Sequence, residues 1–112
     1  MADTIYDLSQ LEELAGGDED FINSMVSTFL EHTPNQLEEL KKARQVGDLP
    51  AMGKIAHKIK PNIDMFGLTD ITDTIRELEQ MGKNEEDKPE IKEKIEQVDK
   101  VLQEAFDQLK AR

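Results

Sequence analysis

His57 is the residue of this chain whose type and surroundings fit nucleophilic chemistry. A neutral imidazole is a competent nucleophile near neutral pH, because its pKa lies close to ~6.5. The stretch around it, Leu49–Leu68, reads LPAMGKIAHKIKPNIDMFGL. Placed on a helix, Met52, Ile55, Ala56, Ile59, Ile63 and Phe66 fall within an arc of about 100°, wide enough to face a core. His57 lies roughly 150° from the centre of that arc, so it points at water or at a partner. Gly53 and Pro61 stand one turn below and above it, with Lys60 and Asp64 at its flank. Small residues on either side leave the ring unshielded. A lysine one turn on can meet an anion held there. The plain alternative is a surface histidine on an amphipathic helix.

Little else in the chain suggests catalysis. There is no glycine-rich phosphate loop of the Walker or dinucleotide type, and Gly16-Gly17 reads as a helix stop. The absence of cysteine and the two distant histidines rule out common zinc sites, disulfides and thiol chemistry. No Glu-x-x-His pair marks a di-iron bundle. Methionines and Leu/Ile seams read as core, and Glu12-Glu13, Glu38-Glu39 and Glu85-Glu86-Asp87 as solvated faces. His32 lacks a basic neighbour one turn on and reads as structural. Phosphoryl transfer asks only for an in-line approach and charge stabilisation. With no nucleotide site, any phosphoryl on His57 must come from another protein.

The formal net charge of −11, from 14 basic and 25 acidic residues, argues against nucleic acid as a partner. The charge is uneven. Residues 41–60 carry Lys41, Lys42, Arg44, Lys54, Lys58 and Lys60 against Asp48 alone, a net +5 that leaves −16 for the remainder. The basic patch surrounds His57 and would suit an acidic partner. No apolar run approaches the ~20 residues of a membrane span, and MADTIYD lacks a signal pattern, so a cytoplasmic protein is expected.

The 112 residues suffice for one domain with a single core. Asp7 or Ser9 should cap a short helix, LSQLEELA, with Leu8, Leu11 and Leu14 as a lid on the bundle end. Asp18 should cap one long helix over about residues 18–46, with Phe21 its first large core residue and a kink near Leu30–Pro34. Gly47-Asp48 turns the chain into the His57 helix, which should bend or widen at Pro61 and end at Gly67. Thr69 or Asp70 should cap the next helix, with Ile71, Ile75, Leu78 and Met81 on its inner face and Gly82 closing it. After the polar KNEEDK, Pro89 opens a last helix whose seam is Ile91, Ile95, Val98, Leu102, Phe106 and Leu109. The expected fold is all-α: an antiparallel up-down-up-down four-helix bundle with a short extra N-terminal helix.

The order A-H-K-I-K-P-N-I-D-M-F-G-L resembles the signature of the histidine-containing phosphotransfer (HPt) domain family. The matching positions are His57, Lys60, Phe66 and Gly67. Pro61 departs from it, because the family usually has a small residue there. The resemblance covers nearly the whole chain and implies a single HPt-like domain over 1–112. It implies a phosphocarrier without kinase activity, relaying a phosphoryl group between aspartates of receiver domains. His57 would be phosphorylated on Nε2, Lys60 would offset phosphate charge, and Gly53, Lys54, Lys58, Pro61 and Asp64 would form the docking surface. The implied partners are the receivers of a hybrid sensor histidine kinase and a response regulator, which supply Mg²⁺. The carrier would be a monomer with no cofactor of its own. The competing reading is a non-catalytic helical interaction module that binds a signalling partner through the same basic patch.

Overall fold

The computed structural model describes residues 4–112, which form five helices and no strand: α1 Ser9–Ala15, α2 Glu19–Gln45, α3 Leu49–Met65, α4 Thr72–Lys83 and α5 Glu90–Lys110. The four long helices make the bundle, joined by short turns. α3 packs most extensively on α4 and then on α2, while α5 closes the bundle against α2 and α4. The core is one continuous cluster. Phe29 of α2 lies at its centre, stacked on Phe66 with ring centroids 4.2 Å apart and tilted against Phe106 of α5 at 5.6 Å. Phe66, the motif phenylalanine, is therefore a packing residue that fixes the end of α3.

Local chemistry sets the ends of α2 and α3. The Asp18 carboxylate accepts from the backbone N–H groups of Asp20 and Phe21 and starts α2. α2 then runs unbroken through Pro34. Gly47 and Gly67, with φ of +76° and +62°, end α2 and α3 in left-handed geometry. At the end of α3 the Gly67 N–H bonds the Asp64 carbonyl and the Leu68 N–H bonds the Ile63 carbonyl, a Schellman closure with Leu68 tucked into the core. Asp48 caps α3 through the Ala51 N–H.

Several expectations need correction. α3 continues in α geometry through Pro61 with no widened turn. Its helical φ fits the proline ring, and the lost bond is only that to the His57 carbonyl. Neither Thr69 nor Asp70 caps α4; Ile71 occupies the N-cap without a side-chain bond, and the Thr72 hydroxyl instead donates back to the Leu68 carbonyl. Leu8, not a capping residue, precedes α1, with Asp7 accepting from the Ser9 N–H. Leu8 and Leu11 are buried, but Leu14 is 62% exposed and Phe21 39% exposed, so neither belongs to the core.

Gly82 does not close α4; it lies inside the helix, buried against Gly53 of α3. The helix ends at Lys83 with Asn84 as its C-cap, and Glu85 takes the left-handed position with φ +52°. The Glu85 N–H bonds the Gly82 carbonyl, and that of Glu86 the Met81 carbonyl. A side chain in this conformation costs roughly 1–2 kcal/mol relative to the right-handed one. Glu85→Gly should therefore raise stability by about 0.5–1 kcal/mol, read as a rise of a few degrees in Tm by circular dichroism.

Candidate functional site

The site is built by the closest approach of α3 and α4. A Cβ on Gly53 would stand 3.0 Å from the Gly82 carbonyl carbon and the Lys83 nitrogen. Two facing glycines thus let the backbones touch, and the antiparallel register follows from that contact. One turn along α3 from Gly53 comes His57, and one turn back along α4 from Gly82 comes Glu79. The two side chains meet: His57 Nδ1 lies 2.6 Å from Glu79 Oε2. Three residues further on α3, Lys60 Nζ donates to Glu79 Oε1 at 2.8 Å. The next step pairs Asp64 with Arg76 at 3.3 Å.

Glu79 takes one donor on each oxygen. The hydrogen bond from Lys60 holds its carboxyl below the ordinary carboxylate range, His57 adds to this, and partial burial opposes it. An ionised Glu79 accepts only, so Nδ1 must be the protonated ring nitrogen. In the neutral ring, Nε2 is then the lone-pair nitrogen. The His57 side chain is 66% exposed, against 24% for Glu79 and 27% for Lys60. The ring is anchored at its inner nitrogen and open at its outer face.

A groove of about 570 Å³ runs beside the ring between α3 and α4. Gly53, Lys54, Lys58 and His57 line it from α3, with Glu79 and Gly82 opposite on α4. Lys54 and Lys58 are exposed. The other three residues singled out from the sequence lie past His57 toward the end of α3: Lys60 is half-buried on Glu79, Pro61 is exposed, and Asp64 is half-buried on Arg76. His32 is exposed and, among the described residues, has no hydrogen-bonded partner. Sequence reasoning missed Glu79. The one signal for it was Gly82, a helix-interior glycine one turn away, which reads equally as a stop.

Among the described residues no three His, Asp or Glu side chains cluster as a metal site, and no helix is long and apolar enough to cross a membrane. The sequence profile of the Hpt domain matches residues 24–112. The chain belongs to the Hpt domain family. This Hpt domain therefore works in histidine phosphotransfer within a phosphorelay, as a phosphocarrier rather than a kinase, and receiver domains are the class of partner that Hpt domains engage. The crystal structure of histidine-containing phosphotransfer protein B (HptB) from Pseudomonas aeruginosa PAO1 has the same fold. It aligns with a TM-score of 0.84 at 24% identity over 98% of this chain and 95% of that one. None of the curated proteins compared matches the chain.

Proposed function

We propose that His57 is the phosphoacceptor of this Hpt domain and that Nε2 takes the phosphoryl group. The observation that carries this is the ring itself: two-thirds exposed, with Nδ1 held on Glu79. The Nε2 lone pair attacks the phosphorus of a receiver aspartyl phosphate, the P–O bond to the aspartate breaks, and the carboxylate leaves with the electron pair. No proton need move, because Nδ1 keeps its own. The reverse reaction returns the group to a second receiver. The receivers belong to a hybrid sensor histidine kinase and a response regulator, and Mg²⁺ comes with them. They dock over the groove and its rim, with Gly53 as the flat floor, Lys54 and Lys58 facing the acidic receiver pocket, and Pro61 and Asp64 at the far edge. The chain acts as one domain over 1–112, as a cytoplasmic monomer.

Incubation with a phosphorylated receiver tests this. The expected product is acid-labile, base-stable phosphate, whose ³¹P–¹H couplings to both ring carbons place it on Nε2. Tight receiver binding without phosphate transfer would replace the carrier reading with the interaction module.

Lys60 offsets phosphate charge in this reading while remaining within reach of Glu79. Lys60→Ala should slow phosphoryl uptake roughly ten- to thirtyfold, the equivalent of ~1.4–2 kcal/mol for one charge-assisted contact. Rapid-quench transfer kinetics checks it, and a parent-like rate would leave Lys60 with only a pairing role.

A further inference from the structure

We propose that Glu79 keeps the Nδ1 proton on His57 after phosphorylation, so that the phosphohistidine is poised to give its phosphoryl group up rather than to store it. The proposal rests on His57 being the carrier and concerns what happens next. Attack of Nε2 on phosphorus makes a ring that bears the phosphoryl on one nitrogen and a proton on the other. That ring is a cation. Its Nδ1–H points at a carboxylate 2.6 Å away. An anion at that distance favours the charged ring over its deprotonated form.

The proton decides the leaving group. In the onward step an aspartate oxygen of the receiver attacks phosphorus and the P–Nε2 bond breaks. The electron pair returns to Nε2. With Nδ1–H in place the departing ring is neutral imidazole. Without it the ring would leave as imidazolate, a far stronger base and a poor leaving group. Glu79 thus acts through the ring, as a positioning residue that also fixes its charge.

The surrounding charges divide into two sets. Lys54, Lys58 and Lys60 on α3 and Lys83 on α4 disfavour a cationic ring, and Glu85 at the end of α4 favours it. α2 meets α3 through Thr33 and Asn62, on another side of the helix from the ring. Glu79 is the one acid in hydrogen-bonding contact with His57 among the described residues. Its other oxygen holds Lys60, which keeps the carboxylate ionised into the acid range.

The test uses the full chain phosphorylated with phosphoramidate, a small phosphoryl donor that needs no receiver. The Nδ1 titration of the phosphohistidine is followed by ³¹P NMR, and its loss is timed across pH. Glu79→Gln keeps the size and the acceptor oxygen but removes the charge. Its titration midpoint should fall by about one pH unit, up to roughly tenfold in the protonated fraction at a fixed pH above it. The phosphohistidine half-life at pH 7.5 should lengthen severalfold. The same shift should appear between Lys60→Met and the Lys60→Met/Glu79→Gln double variant, which removes any effect of a liberated lysine. Glu79→Ala supplies a second variant, with folding of each checked by circular dichroism. Phosphate on His57 with an unchanged midpoint overturns this inference alone, even if lifetimes change equally at every pH. No phosphate on His57 in the parent overturns it together with the carrier assignment.

Discussion

His57→Gln should take no detectable phosphate from a phosphorylated receiver, yet unfold within a few degrees of the parent's Tm. Both halves follow from the placement of the ring. The side chain is 66% exposed and contributes nothing to the core cluster. Its one strong contact is with a Glu79 that retains Lys60. Glutamine keeps the helix, so the loss in stability should stay within about 0.5 kcal/mol. The chemistry has no substitute, because an amide nitrogen has no lone pair free for attack. Transfer to His32→Gln should match the parent, since His32 stands alone on α2. Transfer is read from phosphate on the protein after acid and base treatment, and stability from thermal melts. Persistent labelling of His57→Gln at the parent rate would place the acceptor elsewhere.

Gly82→Val should be the most damaging single change to the fold. A Cβ there would meet the Gly53 nitrogen, and would lie 2.5 Å from the Gly53 Cα and 2.6 Å from the Leu49 carbonyl oxygen. All three are backbone, so no rotamer can relieve the clash. α3 and α4 must separate, and the interface they share is the most extensive in the bundle. The expected cost is about 3 kcal/mol, at the upper end for overpacking of a core. Valine's better helix propensity returns only a few tenths. A urea midpoint checks the loss. If the variant stays folded, the separation should also lengthen the His57–Glu79 contact and slow transfer, an effect that an equally destabilising change far from α4 would not show.

The two halves of the site were not equally legible. His57, Lys60 and the apolar stripe of α3 lie on one helix, and a single period of 3.6 residues fixes their relative directions. The Phe66-Gly67 ending was readable for the same reason, since a glycine just past an apolar stripe is a local signal. Glu79 belongs to another helix. Its approach to His57 depends on the register of α4 against α3, which no periodicity within either helix contains. That register is set by Gly53 and Gly82 in contact. Gly82 followed by a polar stretch has the local pattern of a stop, and only the opposing glycine shows otherwise. The left-handed Glu85 was hidden in the same way, because glycine is the residue expected at that position. Leu14 and Phe21 keep the helical period but are exposed, and periodicity alone does not say whether a partner helix covers a given position.

The N-terminal segment has a bearing on where this domain begins. The Asp7 N–H bonds the Phe66 carbonyl, the Ile5 N–H bonds Gln108 on α5, and Gly67 is bare where Asp7 crosses it. A Cβ on Gly67 would sit 2.6 Å from that of Asp7. Leu8, Leu11 and Ile22 go into the same core as Phe66, yet all three precede residue 24, where the family match starts. The shared family pattern and the packed core therefore have different borders. A chain trimmed to the matched span would keep His57, Lys60 and Glu79 but lose the clasp that holds the last turn of α3 onto the bundle. For this sequence, the packed core reaches beyond the span that the family pattern covers.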